Sequence, residues 1–297
     1  MRNPAAPPPS VSGRWLLTTL SIALAGASLC CWGTLCLLFW QGSWQLLYHP
    51  AAEVARTPAS LGMAFDPVAF AATETGQTRL TGWWIPAAPE ARFGRFTILF
   101  LHGQSGNLGN SVDGLMPIHE VGVNVLAFDY RGYGQSQFAR PSEAHWREDA
   151  ELALKYLTGT RQIAPRTIVV DGEGLGANLA LEVAAAHPDL AGVILRDPIP
   201  EPANAIFNDA RGKLVPARLL VRDRYDLDRP AVALRIPSLW LLRIASPPNP
   251  GMVEESSAFK KVSAHKMQVW LPAQTSAPKE ESDSLSRWLG DLPALTR

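Results

Sequence analysis

The sequence predicts a mostly parallel, doubly wound α/β domain behind one N-terminal helix long enough to cross a membrane. Three observations carry that prediction. Short apolar runs alternate with helix-period segments after residue 80, the pattern of parallel strands covered on both faces by crossover helices. A 26-residue stretch from Trp15 to Trp40 contains no charged side chain. The 297 residues are 47% hydrophobic and only 18% charged, so the chain has ample apolar surface to bury and is not disordered as a whole. One large domain of about 250 residues accounts for most of this length, and the first fifty residues ask for another explanation.

As a helix rising about 1.5 Å per residue, the apolar stretch reaches roughly 39 Å, against a hydrocarbon core of about 30 Å. The rival reading is a cleaved signal peptide, with Ala23-Leu24-Ala25 or Ala25-Gly26-Ala27 as the cleavage site. Signal peptides carry an apolar region of about 7–15 residues, and this run continues well past those alanines, which favours an uncleaved signal anchor. Trp15, Trp32, Trp40, Trp44 and Tyr48 include aromatics placed for the two interfaces. Arg2 and Arg14 precede the run, and Glu53 and Arg56 are the first charges after it. The positive-inside rule then predicts a cytoplasmic tail over 1–14, a transmembrane anchor over 15–40, a linker over 41–60, and an extracytoplasmic domain over 61–297. In a Gram-negative cell that compartment is the periplasm.

Charge and cysteine content exclude several classes of function. With 27 basic and 27 acidic residues, the balance argues against a nucleic-acid partner. Cys30, Cys31 and Cys36 all lie in the apolar run, so the downstream domain has neither a disulfide nor a cysteine nucleophile. A cysteine–histidine metal site is excluded with them, and no cofactor is expected.

Strands are predicted at Phe96–Leu101, Val123–Asp129, Thr167–Asp171, Gly192–Leu195, Ser238–Ile244 and Lys266–Leu271. Helices are predicted at Ser142–Leu157 and at Leu175–His187, which Pro188 stops. The interval Pro198–Ile236, richer in Pro, Arg and Asp, is the natural place for a small cap insertion.

Motifs at the strand ends narrow the class. Leu101-His102-Gly103-Gln104-Ser105-Gly106-Asn107 follows one strand, Phe128-Asp129-Tyr130-Arg131-Gly132-Tyr133-Gly134 follows the next, and Pro141-Ser142-Glu143 opens a helix. With Tyr48-His49-Pro50 and Gly82-Trp83-Trp84, their order resembles the membrane-anchored, bud-emergence-homologue branch of the serine α/β-hydrolases over roughly residues 45–297. The resemblance implies an α/β-hydrolase fold and hydrolysis of esters, thioesters or amides by a Ser–Asp–His triad. The family's serine lies at the centre of Gly-x-Ser-x-Gly on a strand-to-helix turn.

This chain reads Gly172-Glu173-Gly174-Leu175-Gly176, with Gly174 at the serine position. The resemblance places the acid after Ser238–Ile244, where the chain has Ser246. It places the histidine after Lys266–Leu271, within Pro272–Ala277, where Thr275 marks the vestigial position. No histidine follows His265, and His265 precedes its strand, on the order of 20 Å from the opposite end at about 3.3 Å per residue.

The remaining candidates have bland readings that outweigh the sharp ones. Ser105 beside His102 suggests a replacement pair, but that loop presents backbone N–H groups and its histidine is structural. Asp197 is expected in a salt bridge or helix cap, and Asp129 holding the turn after its strand. Glu173 is a weak candidate for a lone base, aimed away from a reacting carbonyl. Lys260-Lys261 and Lys279-Glu280-Glu281 read as solvated surface.

The backbone half of such a site needs no particular side chain. By the same resemblance, an oxyanion hole would use the N–H groups of Gln104 and Leu175, with Ser105 beside them. The helix start at Leu175 favours a carboxylate. The expectation is a membrane-anchored pseudo-hydrolase that binds a small acyl or carboxylate ligand or a protein partner. The alternative is a residual esterase, thioesterase or peptidase using unorthodox residues.

Overall fold

The computed structural model describes residues 12–72, 76–244, 256–272 and 278–292. It forms two compact units. One comprises the described residues up to Ser43 together with Ile206–Arg222, and the other comprises Trp44–Ala205 and the described residues from Asp223 onward.

In the first unit, helix α1 runs Gly13–Gly42 and is long and apolar enough to cross a membrane. Ser12 caps it, its Oγ accepting from the Trp15 N–H at 3.3 Å. The Trp32 indole N–H donates to the Leu214 carbonyl at 3.3 Å, tying the helix to the second segment of its unit.

The second unit is built on eight strands: β1 Asp66–Ala72, β2 Thr78–Ile85, β3 Thr97–Leu101, β4 Asn124–Asp129, β5 Ile168–Glu173, β6 Gly192–Arg196, β7 Ser238–Ile244 and β8 Lys266–Pro272. Their order across the sheet is β8-β7-β6-β5-β3-β4-β2-β1. All pairs are parallel except β1 with β2 and β2 with β4. The six strands predicted from apolar runs are all present, within two residues at each end. The antiparallel strands β1 and β2, helix α2 (Val112–Val121) and the C-terminal helix Pro278–Asp291 escaped prediction. β1 opens on Asp66-Pro67 and β2 mixes Thr78, Arg79 and Thr81 with apolar residues, so neither stands out as a continuous apolar run, and Pro117 interrupts the helical pattern of α2.

Helix α3 spans Glu143–Lys155, with Ser142 Oγ accepting from the His145 N–H at 3.2 Å as its cap. Helix α4 spans Leu175–Ala186. Short helices follow at α5 Asn204–Phe207, α6 Ala217–Leu220, α7 Asp228–Ala233 and α8 Ser257–Lys261, and the long α9 runs Pro278–Asp291. One sheet face packs Val169, Ile194, Leu239 and Leu241 against Leu115 and Ile118 of α2 and Leu285, Trp288 and Leu289 of α9. Each such side chain taken fully out of water contributes about 1.5–3 kcal/mol.

Across the chain the motif residues gather in an aromatic cluster. Tyr130 stacks on Trp146 with ring centroids 4.0 Å apart. His102, Tyr133, Tyr48 and Tyr225 meet the same indole edge-on. The Tyr48 hydroxyl donates to Asp223 at 2.8 Å and lies 3.0 Å from the Tyr225 hydroxyl. Tyr48-His49-Pro50 is therefore held inside the second unit by packing and polar contacts.

Candidate functional site

Strand β5 ends and α4 begins in a turn at Gly174, with φ 56° and ψ −120°. Positive φ there suits glycine, which lacks the Cβ that would clash with its own backbone. Close approach fixes the neighbours: a Cβ on Gly176 would overlap the carbonyl oxygens of Leu101 and His102, and one on Gly172 would overlap that of Gly176. The turn is thus pressed onto the loop after β3. It is held by Gly174 N–H donating to the Arg196 carbonyl at 2.8 Å.

The loop after β3 is fixed as tightly. The Gln104 carbonyl accepts from the His49 N–H at 2.9 Å and from the Tyr133 hydroxyl at 2.9 Å. Asn107 Nδ2 donates to the carbonyls of Ala51 and Glu53. His102 is fully buried, with Nδ1 2.7 Å from the Gly103 carbonyl. Burial pushes its imidazole down to about 4, so it stays neutral near pH 7.

Gln104 and Leu175 do come together, through a different atom from the one expected. The Leu175 N–H donates to the side-chain oxygen Oε1 of Gln104 at 3.3 Å. A Cβ on Gly174 would lie 3.1 Å from that same oxygen. An amide carbonyl of the protein itself therefore takes the first helical N–H of α4, over the space that the missing side chain leaves. Ser105 is exposed and pairs in register with His49. Ser246 and Thr275 lie outside the described residues.

Asp129 does hold the turn after its strand. Its Oδ1 accepts from the Leu108 N–H at 2.9 Å, and Gly134 packs against the carboxylate so closely that a Cβ would overlap it. Burial pushes this carboxyl up to about 7. Asp197 forms the expected salt bridge: Arg243 Nη1 donates to Oδ2 at 2.9 Å and Arg243 N–H to Oδ1 at 2.6 Å.

Glu281 corrects the surface reading of Lys279-Glu280-Glu281. It is buried and ion-paired with Arg196 and, at 3.2 Å, with Arg243. It precedes Leu285, Trp288, Leu289 and Leu292 at helical spacing, so it lies on the core-facing stripe of α9. Arg196 also grips Asp171 with Nε and Nη2, each 2.8 Å from a carboxylate oxygen. Glu173 completes the cluster, 3.9 Å from Arg243. Burial raises its carboxyl above the usual range against the pull of both arginines. Sequence reading missed this network, whose mark was a charge at the carboxyl end of each of three adjacent apolar strands, β5, β6 and β7.

Among the described residues no group of His, Cys, Asp and Glu is arranged to hold a metal ion. The turn at Gly174 offers a positive-φ bend, a helix N–H and a nearby charged cluster, without a hydroxyl or thiol at its centre.

Comparison with known proteins agrees with this architecture. Residues 94–230 match the family model described as serine aminopeptidase, S33. The chain is 31% identical over 189 residues to an uncharacterized protein of Mycobacterium tuberculosis, covering 64% of each. It spans a little under two thirds of the length of the first curated relatives it matches. Among solved structures, an α/β-hydrolase of Vibrio vulnificus superposes with a TM-score of 0.58 at 21% identity, covering 78% of this chain and 82% of that one. An esterase of Pyrococcus furiosus, Pf2001, superposes with a TM-score of 0.61 at 16% identity, covering 84% of this chain and 99% of the other. At such identities the likeness speaks for the fold alone. In strand order, in the turn that joins β5 to α4, and in these matches, the chain is an α/β-hydrolase-fold protein.

Proposed function

We propose that this chain is a membrane-anchored pseudo-hydrolase, which binds a small acyl or carboxylate ligand or a protein partner at the Gly174 turn and does not hydrolyse it. The observation that carries the reading is the Leu175 N–H bonded to Gln104 Oε1 beside a Gly174 that has no side chain. The position where the fold family places its nucleophile has no side chain, and the adjacent helix N–H is already bonded to a glutamine carbonyl. That carbonyl stands in for a ligand's acyl oxygen, so a ligand of this class binds by displacing it. The lost acid and histidine, at Ser246 and within Pro272–Ala277, agree with this reading, as does the absence of any histidine after His265.

A fluorophosphonate probe, which reacts with activated serines, tests the proposal on the purified full chain. No labelling is expected, and stoichiometric labelling of any serine, Ser105 above all, overturns it. The ligand class is tested by thermal shift with short-chain carboxylates, because a ligand that binds only the folded state at 100 times its Kd stabilises by about 2.7 kcal/mol. The anchor reading rests on α1, and the cytoplasmic placement of the N-terminus rests on Arg2 and Arg14 before it.

A further inference from the structure

We propose that Ile206–Arg222 is a second membrane contact, an interfacial segment that lies in the headgroup layer and binds anionic lipid headgroups. The inference rests on reading α1 as a membrane anchor, and it adds to that anchor an internal segment of the chain.

Ile206–Arg222 belongs to the same compact unit as α1, and the Trp32–Leu214 hydrogen bond fixes its level along the helix. From Trp15 to Trp32 the helix rises about 26 Å at roughly 1.5 Å per residue, close to the hydrocarbon thickness of about 30 Å. Trp15 and Trp32 are then the two interfacial aromatics. This depth shortens the expected anchor of 15–40 to 15–32, so that the residues of α1 beyond Trp32 stand among the headgroups and Leu214 is held at that same depth.

The segment's surface suits the location. Leu214 and Leu219 are 66% and 83% exposed, large apolar side chains with no core to enter. Arg211, Lys213, Arg218 and Arg222 are exposed beside them, and Asp209, paired with Arg211 at 2.8 Å, is the segment's single carboxylate. This basic surplus is local, because the whole chain balances at zero. Leucines that enter the acyl boundary by about 5–10 Å, with cations level with the phosphates, are the arrangement of interfacial segments. Each cation near an anionic surface contributes about 1 kcal/mol, a factor of roughly five.

The test uses the full chain in vesicles of phosphatidylcholine with and without phosphatidylglycerol. Leu219→Cys, in a background of Cys30→Ser, Cys31→Ser and Cys36→Ser, carries a fluorophore that shifts to the blue in lipid. Alkaline carbonate extraction of the same samples reports whether α1 is integral. The expected result is a carbonate-resistant chain whose label shifts to the blue with phosphatidylglycerol, with Lys213→Gln plus Arg222→Gln weakening docking by roughly 25-fold. A resistant chain whose label stays in water in both vesicles overturns the second contact and leaves the anchor standing. A shift indifferent to phosphatidylglycerol overturns the anionic-headgroup assignment. A chain released by carbonate overturns the anchor reading itself, and the proposal with it.

Discussion

Gly174 holds its positive φ between Gly172, crowded by the Gly176 carbonyl, and Gly176, whose backbone touches Leu101 and His102. A side chain there adds strain of about 1–3 kcal/mol and pushes on the Gln104 carbonyl. Gly174→Ser is therefore expected to lose stability of that order and to stay at background on short-chain p-nitrophenyl esters. A serine hydroxyl near neutral pH needs an adjacent base, and neither Gln104→Ala nor Ser246→Asp supplies one. Robust turnover by Gly174→Ser alone would reveal a base that the sequence does not display. Asp129 permits a pH experiment. Its carboxyl moves from 3.8 to about 7 on burial, so its stabilising contribution is complete at low pH and drains away as pH rises to about 7. His102 lies 3.6 Å away and moves from 6.5 to about 4; its contribution is lost in the other direction, as pH falls between those values. Asp129→Asn removes the carboxyl's contribution only. Its Tm relative to wild type should become more favourable between pH 5 and pH 8, and a constant difference refutes the assignment.

Helix α9 shows how one charged residue joins an element to the core. Glu281 reaches Arg196 and Arg243 from the first turn of α9, while Leu285, Trp288 and Leu289 fill the space beneath the sheet. Removing one partner from a buried ionic cluster leaves the others uncompensated and costs about 3–5 kcal/mol. Glu281→Ala should lower the Tm of the full chain in detergent by several degrees, whereas Glu280→Ala, one position round the helix and exposed, should leave it nearly unchanged. Equal effects would place Glu281 at the surface after all. The same helix marks where sequence reading ran out. The parallel strands were legible because burial on both faces leaves continuous apolar runs, such as Thr-Ile-Leu-Phe-Leu at 97–101. The turn at Gly174 was legible because its glycines are fixed by backbone contact. Glu281 was not, since a mixed-charge run looks solvated until its spacing to Trp288 is counted. Nor was the Gln104 side chain, because nothing in a sequence says which of a loop's two carbonyls will reach a helix N–H.

At the scale of the whole molecule, the predicted topology can be checked directly. Reporter fusions after residue 60 should be active only outside the cytoplasm, given Arg2 and Arg14 ahead of the apolar helix; activity inside would overturn the charge argument. The arrangement of the first unit also bears on how the chain is made. Trp32 and Leu214 stand 182 residues apart in the sequence, and ribosomes add about 5–20 residues per second. If α1 is inserted as proposed, it waits roughly 10–40 seconds before its partner segment has been synthesised. During that interval the proposed anchor has only lipid to face, which suits a helix with no charged side chain from Trp15 to Trp40. A nascent chain stalled before residue 206 would then be inserted but incomplete, with the Trp32 indole lacking its Leu214 partner, and crosslinking from position 32 to lipid in such stalled chains should exceed that in the completed chain.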